Sequence, residues 1–280
     1  GRVELFRAPS DGSTRAVPLS GTIVAGGLVR DGFGVTPDAA RVVFRADREA
    51  ALQVELYSAP ADGSAPPLHL SSDGDASSHT SSLLLDPTGA RAVFRYDRAG
   101  EAAKLFSVPV DGSAAQTLLS PLPNSEEVGE LDEASPFPPE IQITSDGARV
   151  VYTLGSGPST KIYASPLDGS APPIRLNSSV LASGEMASFL VAPSGARVAY
   201  LGWMPFSTRA QVFDVPIDRR REPMRLHPEL PDSLVGAQHD YAFGPGSATL
   251  LYRLDLDRAT SFDLFAALLE NQPRARTLTP

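Results

Sequence analysis

Three features of the 280-residue chain predict an all-β fold, a β-propeller of four-stranded antiparallel blades. A unit of about 50 residues recurs along its length, which marks a repeat architecture. Within each unit the apolar residues alternate with a period of two and are β-branched or aromatic, as in half-buried strands. A short turn recurs as "PSDGS" (9–13), "PADGS" (60–64), "PVDGS" (109–113) and "PLDGS" (166–170), and is replaced by "PIDRR" (216–220). Asp-Gly between two strands is a hairpin signal, because Gly adopts positive φ and the Asp side chain bonds the backbone two residues on.

The strands follow in order once the repeats are aligned. One column reads "TPDAARVVF" (36–44), "DPTGARAVF" (86–94), "TSDGARVVY" (144–152), "APSGARVAY" (192–200) and "GPGSATLLY" (244–252). Before it lie the alternating apolar pairs Phe33/Val35, Leu83/Leu85, Ile141/Ile143, Phe189/Val191 and Tyr241/Phe243, and after it Leu56-Tyr57, Leu105-Phe106, Ile162-Tyr163, Val212-Phe213 and Leu264-Phe265. Each repeat therefore reads as strands a, b, c and d, at 32–36, 41–46, 54–59 and 67–71 in the first complete copy. Four short strands cannot bury both faces alone, whereas radial stacking buries each blade against its neighbours. The first twenty residues supply only strands c and d. The expectation is a single propeller domain over 1–280, with a half blade at 1–20 and blades at about 21–72, 73–120, 121–179, 180–228 and 229–280.

Composition narrows the function classes. The 24 basic and 33 acidic residues give a net charge of −9, which argues against a general nucleic-acid or anionic-membrane surface. There is no cysteine, so disulfides, thiolate metal sites and cysteine nucleophiles are excluded. No apolar run reaches the roughly 18–20 residues of a membrane span. The first residues read as the middle of a repeat and not as a signal peptide.

The combination of "TSDGARVVYTL" (144–154), "LNSSVLASGEMASFLVAPSGARVAYLG" (176–202) and the segment from Ile23 through "ELYSAPADGS" (55–64) resembles the repeats of TolB-type β-propellers. The resemblance covers nearly the whole chain and implies a periplasmic or secreted bacterial protein that binds other proteins. Related propellers also cap peptidases of the prolyl oligopeptidase type. Family members often carry a calcium-like Asp-x-Asp-x-Asp-Gly loop after strand b. Here that loop reads "ADREAA" (46–51), "YDRAGE" (96–101) and "LDLDRA" (254–259), so at most Asp255 and Asp257 survive as remnants.

Motifs for chemistry are sparse. No Gly-x-Ser-x-Gly nucleophile elbow occurs, and "GSGPS" (155–159) has the wrong order. His-Glu-x-x-His and the phosphate-binding loop are also missing from the sequence, and no catalytic residue is assigned. Of the four histidines, His69 and His227 fall at strand d, expected to be the solvated outer edge. His79 and His239 fall where strand a begins, beside the central axis. The segments at that position are "VRDG" (29–32), "HTSS" (79–82), "FPPE" (137–140), "EMAS" (185–188) and "AQHD" (237–240). Polar residues that do not repeat, at a position that does, point to recognition at the channel mouth by Arg30, Asp31, His79, Glu140, Glu185, His239 and Asp240. The same residues also suit a water-filled channel with no ligand. No cofactor is expected; the alternative is calcium, or a transition metal held by His79 and His239 with carboxylates beside them.

Other departures from the repeat are informative because packing alone does not require them. Arg45/Asp47, Arg95/Asp97 and Arg253/Asp255 recur two apart and project from one strand face. Trp203, Met204 and Phe206 in "LGWMPFSTRA" either pack onto the next blade or form an apolar partner patch. The acidic insertion at 121–140 overhangs the mouth, and the arginines of "DRRREPMRL" (218–226) read as a solvated turn. The leading expectation is a non-catalytic binding or scaffold module that recognises a protein or peptide at the mouth. The alternatives are a hydrolase or lyase with its site there, and an accessory propeller of a larger enzyme.

Overall fold

In the computed structural model, the described residues are 3–71, 78–120, 128, 140–155, 160–177, 186–203, 209–228, 236–255, 262–269 and 274–278. The chain divides into two compact units, Gly1–Val128 with Pro166–Pro172, and Gly129–Ser165 with Pro173–Pro280.

The first unit opens with a two-stranded sheet, β1 (Phe6–Arg7) and β2 (Val17–Pro18). Two four-stranded antiparallel sheets follow. The first is β3 (Val29–Val35), β4 (Arg41–Ala46), β5 (Glu55–Pro60) and β6 (Leu68–His69). The second is β7 (Ser78–Leu85), β8 (Arg91–Arg98), β9 (Lys104–Pro109) and β10 (Thr117–Leu118). The second unit carries three more such sheets. They are β11 (Ile141–Ile143) to β14 (Ile174–Arg175) through β12 (Arg149–Leu154) and β13 (Lys161–Pro166); β15 (Met186–Val191) to β18 (Met224–Arg225) through β16 (Arg197–Trp203) and β17 (Ala210–Pro216); and β19 (Ala237–Phe243) to β22 (Arg274–Thr277) through β20 (Thr249–Leu254) and β21 (Asp263–Leu268). In all five sheets the strands pair in simple a-b-c-d order, the blade meander predicted from the repeat.

The apolar pattern explains each blade's interior. The aromatic ending the alignment column on strand b stacks on the aromatic of strand c: Phe44 on Tyr57 at 5.8 Å, Phe94 on Phe106 at 5.7 Å, Tyr152 on Tyr163 at 6.1 Å, Tyr200 on Phe213 at 5.1 Å and Tyr252 on Phe265 at 5.8 Å. Such a pair contributes about 0.5–1.5 kcal/mol beyond its buried area. Stacking of blades buries the rest: Val43 and Leu56 of one sheet share a cluster with Ala92, Phe94 and Tyr96 of the next. In the second unit, Val151 and Ile162 pack with Phe189, Tyr200 and Phe213 in the same relation.

The Asp-Gly-Ser turns are structural. The amide N–H of Ser13, Ser64, Ser113 and Ser170 donates to the carboxylate of Asp11, Asp62, Asp111 and Asp168 at 2.9–3.0 Å. The glycine between has φ of 67°, 72°, 70° and 69°, a region that L side chains avoid. Each turn joins strands c and d, at the opposite end of its blade from the start of strand a.

A second repeated bond was not anticipated. The first residue of the strand-c apolar pair donates its N–H to a side chain fifteen positions on: Leu5 to Ser20, Leu56 to Ser71, Leu105 to Ser120, Ile162 to Asn177 and Val212 to His227 Nε2. His227 is therefore buried, at 6% exposure, and not solvated at the outer edge as its place at strand d suggested. It fills an acceptor position that serine or asparagine fills elsewhere.

The a–b turn supplies a mild strain. Ala39 has φ 56° at the position that Gly89, Gly147 and Gly195 occupy in other repeats. Ala39→Gly is expected to stabilise the fold by about 1 kcal/mol, read as a higher melting temperature.

Candidate functional site

The beginnings of the inner strands, where the recognition residues were expected, share an irregularity. The a–b register shifts between Val29 and Phe33, Thr80 and Ser82, Met186 and Ser188, and Ala237 and Tyr241. A bulge adds an unpaired residue, bends the strand and re-aims its side chains. Four blades thus present the residues before the shift at an angle that regular pairing does not allow.

In the first unit, charged groups at the end of strand b hold two of these bulges. Asp47 is fully buried; its carboxylate accepts the N–H of Leu28 at 3.0 Å, the N–H of Leu52 at 3.1 Å and Arg30 Nη2 at 3.1 Å. Burial pushes this carboxyl up, but the two backbone donors and the Arg30 charge outweigh it and hold the group below its ordinary value. The Arg45 guanidinium donates to Asp31 O at 2.7 Å and to Thr80 O at 3.3 Å, with a further bond to Ser81 O. Arg45 therefore ties the bulge of β3 to the bulge of β7. Asp31 and His79 are left exposed beside this clamp. His79 sits opposite Asp97, which pairs with Arg95 at 2.9 Å.

In the second unit, Glu140 is exposed just before β11, and its carbonyl accepts the Thr153 N–H at 3.1 Å. Asp240 is exposed at the bulge of β19 and pairs with Arg253 Nε at 2.5 Å. Asp255, fully buried, accepts the Gly236 N–H at 2.6 Å. This is the counterpart of Asp47 bonding Leu28, so both carboxylates close the approach to strand a. Asp257 and Glu185 lie outside the described residues, as does the side chain of His239. Among the described residues no three His, Asp or Glu side chains cluster so as to hold a metal ion.

Trp203 ends β16, half-buried, and packs against the cluster of Leu201, Val212, Leu250 and Tyr252. Met204 and Phe206 of the proposed apolar patch lie outside the described residues, as does the insertion from 121 to 139 apart from Val128. The arginine run is not a solvated turn. Arg219 donates to the carbonyls of Arg175, Leu176 and Asn177 at 2.8, 2.6 and 3.3 Å. Arg221 reaches the fully buried Asp214, which also accepts Arg197 Nε at 2.9 Å. In two other blades this position is serine: Arg41 Nε donates to Ser58 at 2.8 Å and Arg91 Nη2 to Ser107 at 3.0 Å. Asp214 for serine adds a buried charge, and the arginines of the altered turn supply its second partner.

No protein-family profile and no curated protein matches the chain. Among solved structures, dipeptidyl peptidase 4 of Porphyromonas gingivalis aligns with 90% of this chain and 40% of its own at 11% identity, with a TM-score of 0.60. A prolyl endopeptidase structure aligns with 89% of the chain and 35% of its own at 16% identity and a TM-score of 0.50. TolB from Acinetobacter baumannii aligns with 98% of the chain and 59% of its own at 16% identity and a TM-score of 0.42. The chain thus spans less than two thirds of each. The sheets and the two peptidase likenesses define the class: this is a β-propeller. Its repeat motifs resemble those of TolB-type propellers. No helix among the described residues is long and apolar enough to cross a membrane.

Proposed function

We propose that this chain is a non-catalytic binding module of the bacterial cell envelope or exterior, and that it recognises a protein or peptide at the bulged ends of its inner strands. The observation that carries the reading is the Arg45 clamp. It fixes the backbone of two adjacent bulges while leaving Asp31 and His79, which differ from repeat to repeat, exposed beside it. A rigid scaffold carrying variable polar side chains is how recognition surfaces are ordinarily built. In the first unit, the exposed carboxylate of Asp31 favours an occupant with a basic group.

The test is selection of binding peptides from a random displayed library, followed by affinity measurement on Asp31→Ala/His79→Ala protein. A loss of tenfold or more, about 1.4 kcal/mol, is expected. Undiminished binding by the folded variant would sink the reading. The likeness to dipeptidyl peptidase 4 favours a second reading, an accessory propeller of a peptidase. Its mark is a selected peptide set dominated by the recognition sequence of a protease partner supplied in trans.

A further inference from the structure

One side chain beside the Arg45 clamp is held in a form that neither packing nor solvation favours. The turn from strand b to strand c in the first complete blade closes with the Gln53 N–H on Ala50 O at 3.2 Å. The same turn in the next blade closes with the Glu101 N–H on Arg98 O at 3.0 Å. A positive φ at the third residue of such a turn calls for glycine. Gly100 fills that place with φ 81°, and a Cβ there would meet nothing within 4 Å, so the backbone alone accounts for the glycine. In the first blade the residue is Leu52, with φ 70° and 80% exposure. A strained backbone and an uncovered apolar side chain thus coincide at one position, and neither serves stability.

The turn that carries Leu52 is firmly tied. Leu52 donates its N–H to Asp47 Oδ2 at 3.1 Å, the oxygen that also accepts Arg30 Nη2 at 3.1 Å, while Oδ1 accepts the Leu28 N–H at 3.0 Å. One buried carboxylate therefore sets Leu52 beside the start of β3, where Asp31 is exposed. The loop before β3 closes on the same turn: the Val24 N–H donates to Arg48 O at 3.0 Å, and a Cβ at Gly27 would lie 2.1 Å from Asp47 O. Val24, 36% exposed, adds a second apolar side chain on that adjoining loop.

We propose that Leu52 is the apolar anchor of the recognition site at the bulges, and that the peptide taken there carries an apolar side chain close to a basic one. The inference rests on the reading of that site as a recognition surface. The basic group answers the exposed Asp31 carboxylate, and the apolar group covers Leu52 and Val24. The bonds to Asp47 fix the turn before the peptide arrives, so little conformational freedom is lost there on binding.

The experiment takes peptides selected from a displayed random library on the whole chain and measures their affinity for variants of it. The selected set is expected to share an apolar residue near a Lys or Arg. Leu52→Gly, which suits the turn, is expected to weaken binding by about tenfold or more without lowering the melting temperature. Leu52→Met, which keeps an apolar side chain, is expected to bind within about threefold of the unaltered chain. Alanine at the peptide's apolar residue is expected to cost little further affinity once Leu52 is replaced by Gly.

Full affinity in Leu52→Gly, with binding lost in Asp31→Ala/His79→Ala, would overturn the anchor and leave the recognition reading standing. Full affinity in both variants, or a library that yields no saturable binder, would overturn the two together. Weakened binding in Leu52→Gly with a lowered melting temperature would also overturn the anchor, since Leu52 would then act by holding the fold. So would a loss in Leu52→Gly that Asp31→Ala/His79→Ala does not share, because Leu52 would then belong to a different site.

Discussion

Asp214→Ala is expected to destabilise the protein by about 3–5 kcal/mol, seen as a fall in the urea midpoint at unchanged slope. The carboxylate is fully buried, and its removal takes from Arg197 and Arg221, whose side chains are 16% and 28% exposed, the counter-charge that both contact. The penalty comes from stranding two cations, not from the intrinsic worth of the pair. Asp214→Ser together with Arg221→Ala restores the arrangement of Arg41 with Ser58, and should cost far less than the single change. Equal losses for both variants would show that the Asp214 charge does not govern this site.

The second large effect is a pH dependence carried by His227. Its Nδ1 donates to Pro228 O at 2.7 Å and its Nε2 accepts the Val212 N–H at 3.2 Å, so only the neutral ring fits. Burial pushes the imidazole pKa down from 6.5 to about 4; the bond to Pro228 opposes this and the charge of Arg225 adds to it. Between those values the unfolded chain binds a proton that the folded chain does not. Stability is therefore complete above about pH 6.5, falls as the pH drops, and loses about 3 kcal/mol by pH 4. His227→Asn supplies the acceptor that Asn177 supplies in the preceding blade and should flatten the curve across this window. A curve unchanged by that substitution would place the titration elsewhere.

The fold was legible because blade strands impose two constraints that survive sequence drift. Period-two apolarity sets the strands, and the backbone at Gly12, Gly63, Gly112 and Gly169 demands a residue free to take positive φ. Both appear as columns once a fifty-residue period is found. The buried position of His227 was less visible, although the signal existed: Ser20, Ser71, Ser120, Asn177 and His227 each follow their donor by fifteen residues. Three residue types with one shared acceptor function do not look like a column until the bond is seen.

The misreading of Arg219 and Arg221 has a different cause. An aspartate on strand c, where the other complete blades carry serine or alanine, and an altered turn are separate features of the sequence, and only their meeting at Asp214 joins them. Arg30, Asp31, His79 and Asp240, the residues expected to serve recognition, lie on strand a of their blades. The bulges that re-aim them could not be read, because the extra residues, two in β3 and β19 and one in β7, lie before the apolar pairs Phe33/Val35, Leu83/Leu85 and Tyr241/Phe243 and leave those in step with strand b. Arg30 shows the consequence: it serves the buried Asp47 and is less free to meet a ligand than the neighbouring Asp31.

The most direct test of recognition at these bulges is hydrogen–deuterium exchange with a selected peptide bound. Protection of the segments Val29–Val35 and Ser78–Leu85, with the Asp-Gly-Ser turns at 60–64 and 109–113 unchanged, is the predicted result. Protection confined to those turns, at the other end of the blades, would contradict it.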